Sequence, residues 1–231
     1  MQDFVDAIVS RAQLVQDSLC LDPRLTGLAG TSRTIPRPFM GRGPIRLVVV
    51  GQDPTVQKES SRSSITTVLN LDRAGSLRAY LDSLCKALGV DLNSEVYATN
   101  LAKGFFTHPP TNILKDRGRD VLAETSSRWM PLLRDELAQF PDAPVVCLGE
   151  PVLPVLVAPG NPHTMRHYWG WRRDWKLKGC GPFATVNPTQ SSLGRAFFPF
   201  VHQPTMRGSR HEFYRSRRDE YLRFMRTLAG L

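Results

Sequence analysis

Three short apolar runs limit what this chain can fold into: RLVVVG at 46–51, SEVYATN at 94–100 and APVVCLG at 143–149. Runs of this length, rich in β-branched residues and bounded by glycine or polar turn formers, read as strands buried on both faces. Stretches with helical spacing lie between them. SLRAYLDSLCKALGV puts Leu77, Tyr80, Leu84 and Leu88 on one stripe, with Ser76 placed as the cap and Gly89 as the stop. LKDRGRDVLAETSSRWMPLLRDELAQF is largely helical, and EPVLPVLV restarts a short helix that Pro154 limits. The N-terminal segment spaces Phe4, Ile8, Ala12, Leu14 and Leu19 along an amphipathic face expected to pack on the sheet. EFYRSRRDEYLRFMRTL is a terminal helix offering Phe213, Tyr221, Phe224 and Leu228 to the core, while PFATV and FFPFVH are further strand candidates. With no internal repeat or low-complexity linker, this alternation predicts an α/β chain, residues 1–231, folded as a single-domain three-layer αβα sandwich around a mostly parallel sheet.

The balance of 30 Lys and Arg against 21 Asp and Glu gives a formal charge of +9, which suits a polyanionic partner such as nucleic acid. The four cysteines form no CxxC pair, and Cys85 and Cys147 sit inside apolar segments, as reduced thiols of a cytoplasmic protein do. Asp and Arg interrupt MQDFVDAIVSRAQLVQDSL, so neither a signal peptide nor a membrane span is expected, and a monomer is the expected state. The chain contains no GxGxxG or GxxxxGK phosphate loop.

In a parallel sheet the residues that close successive strands gather at one edge. Here those residues are Asp53, which runs straight into Pro54, then Asn100, and His202 after FFPFV. A carboxylate, an amide and an imidazole in one crevice can hold a flat polar ligand and do acid, base or electrostatic work on it. Each also has a plainer role: an Asp before Pro is a turn former, a strand-end Asn an Asx turn, a lone His surface decoration.

VVVGQDPT resembles the water-activating motif of the uracil-DNA glycosylase superfamily, one branch of which carries GQDPYH after the same kind of strand. YATNLAKGFFTHPPTN is similar to the TNxVKCRPP segment of the thermophilic branch, and VHQPTMRG to the HPSPLS or HPAxLxR loop before a final helix. The three come in the family's order and span Ile45 to the C-terminus with one poorly matching insertion. The resemblance implies that Asp53 stabilises a sugar cation and orients the attacking water, while His202 donates to the base O2. The backbone around Gln52 and Asp53 would present N–H groups to the same oxygen, and Asn100 would read the Watson–Crick edge. Met206 takes the place of the wedge that fills the gap left by a flipped nucleotide; its plainer role is packing on the terminal helix. Lys103 would line the DNA groove, and Arg207 and Arg210 would contact phosphates, whereas Arg217, Arg218 and Arg223 would only solvate a helix face.

The departures bear on substrate. Thr55 stands where GQDPY has the tyrosine that excludes C5-substituted bases, and Ile65 falls near the place of the stacking aromatic. Gly104 stands where the thermophilic branch has a cluster cysteine, so no iron–sulfur cluster, metal or other cofactor is expected. VNPTQSSLG can also pass for the last motif, with Asn187 in place of histidine. The insertion MRHYWGWRRDWKLKGCG interleaves Trp169, Trp171 and Trp175 with basic residues, a pattern suited to phosphate contact and stacking or to a hairpin with one face in the core. The expectation is a monofunctional DNA glycosylase that flips a pyrimidine, uracil or a C5-modified one, and leaves an abasic site, with no lysine placed for lyase chemistry. Two alternatives stand beside it: an anti-phage enzyme excising a bulky modified cytosine such as glucosylated hydroxymethylcytosine, and an inactive DNA-binding relative.

Overall fold

The apolar runs form the centre of a five-stranded sheet. A computed structural model describes residues 2–30, 34–203 and 211–231. The strands are β1 (Phe39–Met40), β2 (Leu47–Gly51), β3 (Val96–Asn100), β4 (Val145–Leu148) and β5 (Phe197–Phe200). Their order is β1-β3-β2-β4-β5; β1 runs antiparallel to β3 and the other pairings are parallel. Every residue of β2 to β5 is buried, the mark of a sheet covered on both faces.

Helices α1 (Gln2–Cys20) and α4 (Val121–Ala138) cover one face, reached by Phe4 and Glu136 against Tyr97, and α3 (Pro110–Arg117) packs on α4. Helix α2 (Ser76–Leu88) covers the other together with the terminal helix, α8 (Glu212–Ala229), and Tyr80 and Tyr221 both pack on Phe200. Between β4 and β5 lie three one-turn helices, α5 (Leu153–Leu156), α6 (Met165–Tyr168) and α7 (Trp175–Lys178). Among the described residues no helix is long and apolar enough to cross a membrane.

Several local expectations need correction. Leu14 is 70% exposed, because it lies two residues, about 200°, around α1 from buried Ala12. The core stripe of α1 runs instead through Val5, Ile8, Ala12, Gln16 and Leu19. Helix α2 begins one residue earlier than a Ser76 cap requires: Gly75 is the capping position and no side chain bonds the first turn. Gly89 does end it, with a left-handed φ of 74° and its N–H on Cys85 and Lys86 carbonyls. Leu228 is exposed. PFATV adds no strand; Val186 alone exchanges a bridge with Phe197 along the outer side of β5. Cys85 and Cys147 are buried free thiols, as expected.

The insertion is not a hairpin. Trp169 is wholly buried, stacked on Tyr221 at 4.2 Å and donating to the Pro199 carbonyl, so it belongs to the core rather than to a nucleic-acid surface. Arg217 does more than solvate its helix: its guanidinium lies over Phe183 and donates to the carbonyls of Trp169 and Gly181, clamping the insertion to α8.

Candidate active site

The order in which strands are added reverses at β2. The chain leaves β2 for β3 on one side and later returns to β4 on the other, so a crevice opens beyond the carboxyl ends of these strands. A cavity of about 430 Å³ lies there, within the range of ligand pockets, roughly 300–1,000 Å³. Gln52, Asp53 and Thr55 after β2, Gly149 and Glu150 after β4, and His202 after β5 line it, with Ile65 and Leu69 as an apolar wall. Register explains the gathering: Gly51 pairs with Asn100 and Leu148 with Phe200, so the residues that follow leave the sheet at one level. The carbonyls of Gly51 and Gln52 then accept from the N–H groups of Leu101 and Ala102 at 2.8 and 3.0 Å, keeping the two exit loops side by side.

Asp53 does form the turn that its proline suggests. Its Oδ2 accepts from the Thr55 N–H at 2.8 Å, which orients the carboxyl at the cavity wall. Although the residue keeps some surface open to the cavity, the carboxyl lies deep among protein atoms. Burial pushes it up to about 6, against the hydrogen bonds from Thr55 and the nearby Arg62. Burial drives His202 the other way, below its ordinary value, because desolvation disfavours the imidazolium. At neutral pH the cavity therefore holds a carboxylate and an uncharged imidazole. Tyr80 fixes the approach to His202 by donating to the Val201 carbonyl at 2.6 Å.

Asn100 sits behind this wall rather than on it. It is buried, its Oδ1 has no hydrogen-bond partner, and a Cβ on Gly51 would stand 2.4 Å from that oxygen. Only glycine at 51 lets the amide lie so close to the cavity. An unpaired buried acceptor costs about 1–3 kcal/mol, which makes Asn100 a group awaiting a donor.

Lys103 is misplaced by the sequence reading. Its ammonium is buried, donating to Thr99 Oγ1 and the Asn100 carbonyl, both at 2.6 Å, and pairing with the Glu136 carboxylate. Glu136 also accepts from the hydroxyls of Tyr97 at 2.6 Å and Thr99 at 2.8 Å. Burial pushes the Lys103 ammonium down from its ordinary value and Glu136 opposes this. Lys103 cannot touch DNA from there; it braces the end of β3. Met206, Arg207 and Arg210 lie outside the described residues. Asn187 caps a one-turn 3-10 helix beside the β5 edge and does not line the cavity.

Thr55 lines the cavity through a small side chain, and its Oγ1 accepts from the Phe106 N–H at 2.9 Å. A Cβ at Gly104 would stand 1.7 Å from Gln16 Oε1, so a larger residue there requires Gln16 to leave its place between the Gly30 and Phe105 carbonyls. Sequence reading missed two features. Arg62 is buried and bonds the Val56 and Phe106 carbonyls, both at 3.1 Å, holding the Thr55 loop; a serine-rich stretch carries no periodicity that would reveal it. Leu69 and Asn70 adopt left-handed backbones at φ 57° and 52°, unusual conformations at a ligand-sized cavity, where only the asparagine hinted at them. No family model and no curated protein matches the chain.

Proposed function

We propose that the protein is a monofunctional DNA glycosylase with a uracil-DNA glycosylase-like fold, acting on a pyrimidine flipped out of DNA. One observation carries this reading: Asp53 and His202, remote in sequence, line one cavity roomy enough for a nucleobase, with charge states suited to opposite tasks. Cleavage of the bond between the sugar C1′ and the base nitrogen sends its electron pair to the base. Positive charge then builds on the sugar and negative charge on the base O2. The Asp53 carboxylate stabilises the sugar cation and orients a water whose hydroxyl ends on C1′, while the water's proton neutralises the departing base. His202, uncharged, donates a hydrogen bond to O2. Electrostatic support at the atoms where charge develops is usually the largest catalytic contribution. Asn100, buried directly behind Gly51, sets the shape and polarity of the wall that the base meets.

Thr55 favours a second substrate, a pyrimidine with a C5 substituent, because a small side chain lines the cavity where the motif otherwise places tyrosine. The test incubates the protein with strands carrying uracil and with strands carrying hydroxymethylated or glucosylated cytosine, then scores abasic sites. Base release from at least one, abolished by Asp53→Asn, is expected. Release that survives Asp53→Asn, or none from any strand, refutes the reading.

A further inference from the structure

The insertion after β4 builds a second cavity, of about 650 Å³, larger than the one at Asp53. Glu150 and His202 line both, so two side chains are the partition between them. The new walls come from α6, the turn after it and the start of α8 with its capping residue: Arg166, His167, Trp171, His211 and Tyr214. A smaller recess of about 260 Å³ continues past Arg166, Trp171 and His211 to Trp175 and Lys176. The result is a trough that starts at the catalytic wall and runs along the basic, aromatic insertion.

Its chemistry is specific. The Arg166 guanidinium lies 4.8 Å over the Trp171 ring, which holds it at the cavity wall while leaving N–H groups for an anion. Arg166 forms no ion pair among the described residues. The stretch from Arg166 to Lys178 carries five Lys and Arg against one carboxylate, Asp174. Among the described residues Glu150 is the acid lining the larger cavity, its Oε2 engaged by the Met165 N–H at 2.9 Å, while Glu212 in the smaller recess is paired with Lys176 at 2.6 Å.

We infer that this second cavity holds the phosphodiester and the unpaired nucleotide flanking the excised one, so that the protein grips single-stranded DNA. The inference rests on the glycosylase reading for its geometry: a base at Asp53 with O2 at His202 has its sugar at the partition, and the sugar's phosphate enters the next chamber. Arg166 meets the phosphate, and the half-buried Trp171 and Trp175 offer faces for an unpaired base. A base still paired in a duplex cannot enter such a recess.

The test uses binding, which does not depend on chemistry. A fluorescently labelled single strand containing one uracil, and the same strand in a duplex, are titrated by anisotropy at several salt concentrations with the full chain. Arg166→Ala is expected to weaken single-strand binding about tenfold and to lower the slope of log K against log salt by about 0.7, while Arg166→Lys keeps the slope. Trp171→Ala is expected to weaken binding about tenfold with the slope unchanged. Duplex binding should change less than single-strand binding in each case. Thermal melts establish that the variants fold, and Arg166→Gln, which keeps most of the side-chain stem, replaces Arg166→Ala if that variant does not. An unchanged slope in Arg166→Ala or Arg166→Gln, or no single-strand binding by the native protein, overturns the inference. Base release is scored separately, so a protein that binds as described yet frees no base would sink the glycosylase reading alone.

Discussion

Replacing Asp53 with asparagine should make the protein more stable while disabling it. The carboxyl is raised from its ordinary 3.8 to about 6 by burial. A folded-state value above the unfolded one means that stability is fully present below the unfolded value and is lost as pH rises through the folded one. Between pH 3.8 and about 6 the native state thus gives up roughly 3 kcal/mol, at 1.36 kcal/mol per pH unit. Water entering the cavity reduces this figure, so it is an upper bound. Asparagine keeps an oxygen for the Thr55 N–H and carries no charge to desolvate. For a chain of this size 1 kcal/mol moves Tm by roughly 2–4 °C, so Asp53→Asn should melt up to about 6–12 °C above the native protein at pH 8. Near pH 4 the two should nearly coincide. Melting both proteins across this range by circular dichroism is sufficient. A gap that stays flat with pH, or widens toward acid, would show that Asp53 is not the buried, raised carboxyl on which the proposed chemistry depends.

The same ionisation predicts that kcat/KM for base release rises through pH about 6 to a plateau, because the carboxylate is the working form; a flat profile counts against Asp53. Lys103→Met strands Glu136 as a buried charge and should cost about 3–5 kcal/mol, a Tm loss of roughly 6–20 °C. Adding Glu136→Gln, which still accepts from Tyr97 and Thr99, should recover most of that loss, whereas a double variant no better than the single one contradicts the ion-pair account. Because Lys103 is not a phosphate contact, any folded variant at this position should leave the salt slope of DNA binding unchanged. Gly51→Ala drives a methyl to 2.4 Å from Asn100 Oδ1 and 2.9 Å from Leu69 Cδ2; overpacking of this kind costs about 1–3 kcal/mol. A full base-release rate in Gly51→Ala would show that the position of the Asn100 amide does not matter.

The strands and the assembly of the cavity were readable because both follow from local rules. Valine-rich runs become buried strands, and parallel register delivers Asp53 and His202 to one edge without any knowledge of what fills the space between. Lys103 was unreadable for the opposite reason. Its partner, Glu136, is 33 residues away on another element, and a lysine beside a turn looks like any solvated cation until that pairing is known. Arg62 escaped notice in the same way. The insertion gave a composition without a period, so its aromatic residues could not be divided into the buried Trp169 and the half-buried Trp171 and Trp175 until the helices around them were placed. Ser76 shows how one residue of register decides whether a hydroxyl caps a helix or merely begins it.

The outer side of β5 has a consequence beyond the site. Phe197 spends both its backbone N–H and its C=O on Val186, Pro199 has no N–H, and its carbonyl takes Trp169 and Tyr221. At the opposite margin β1 is only two residues long. A strand from another molecule finds almost no row of free amides on which to grow, so the sheet resists the edge-to-edge polymerisation that apolar strands invite. A protein built this way can be crowded to high local density without its own chains zipping together.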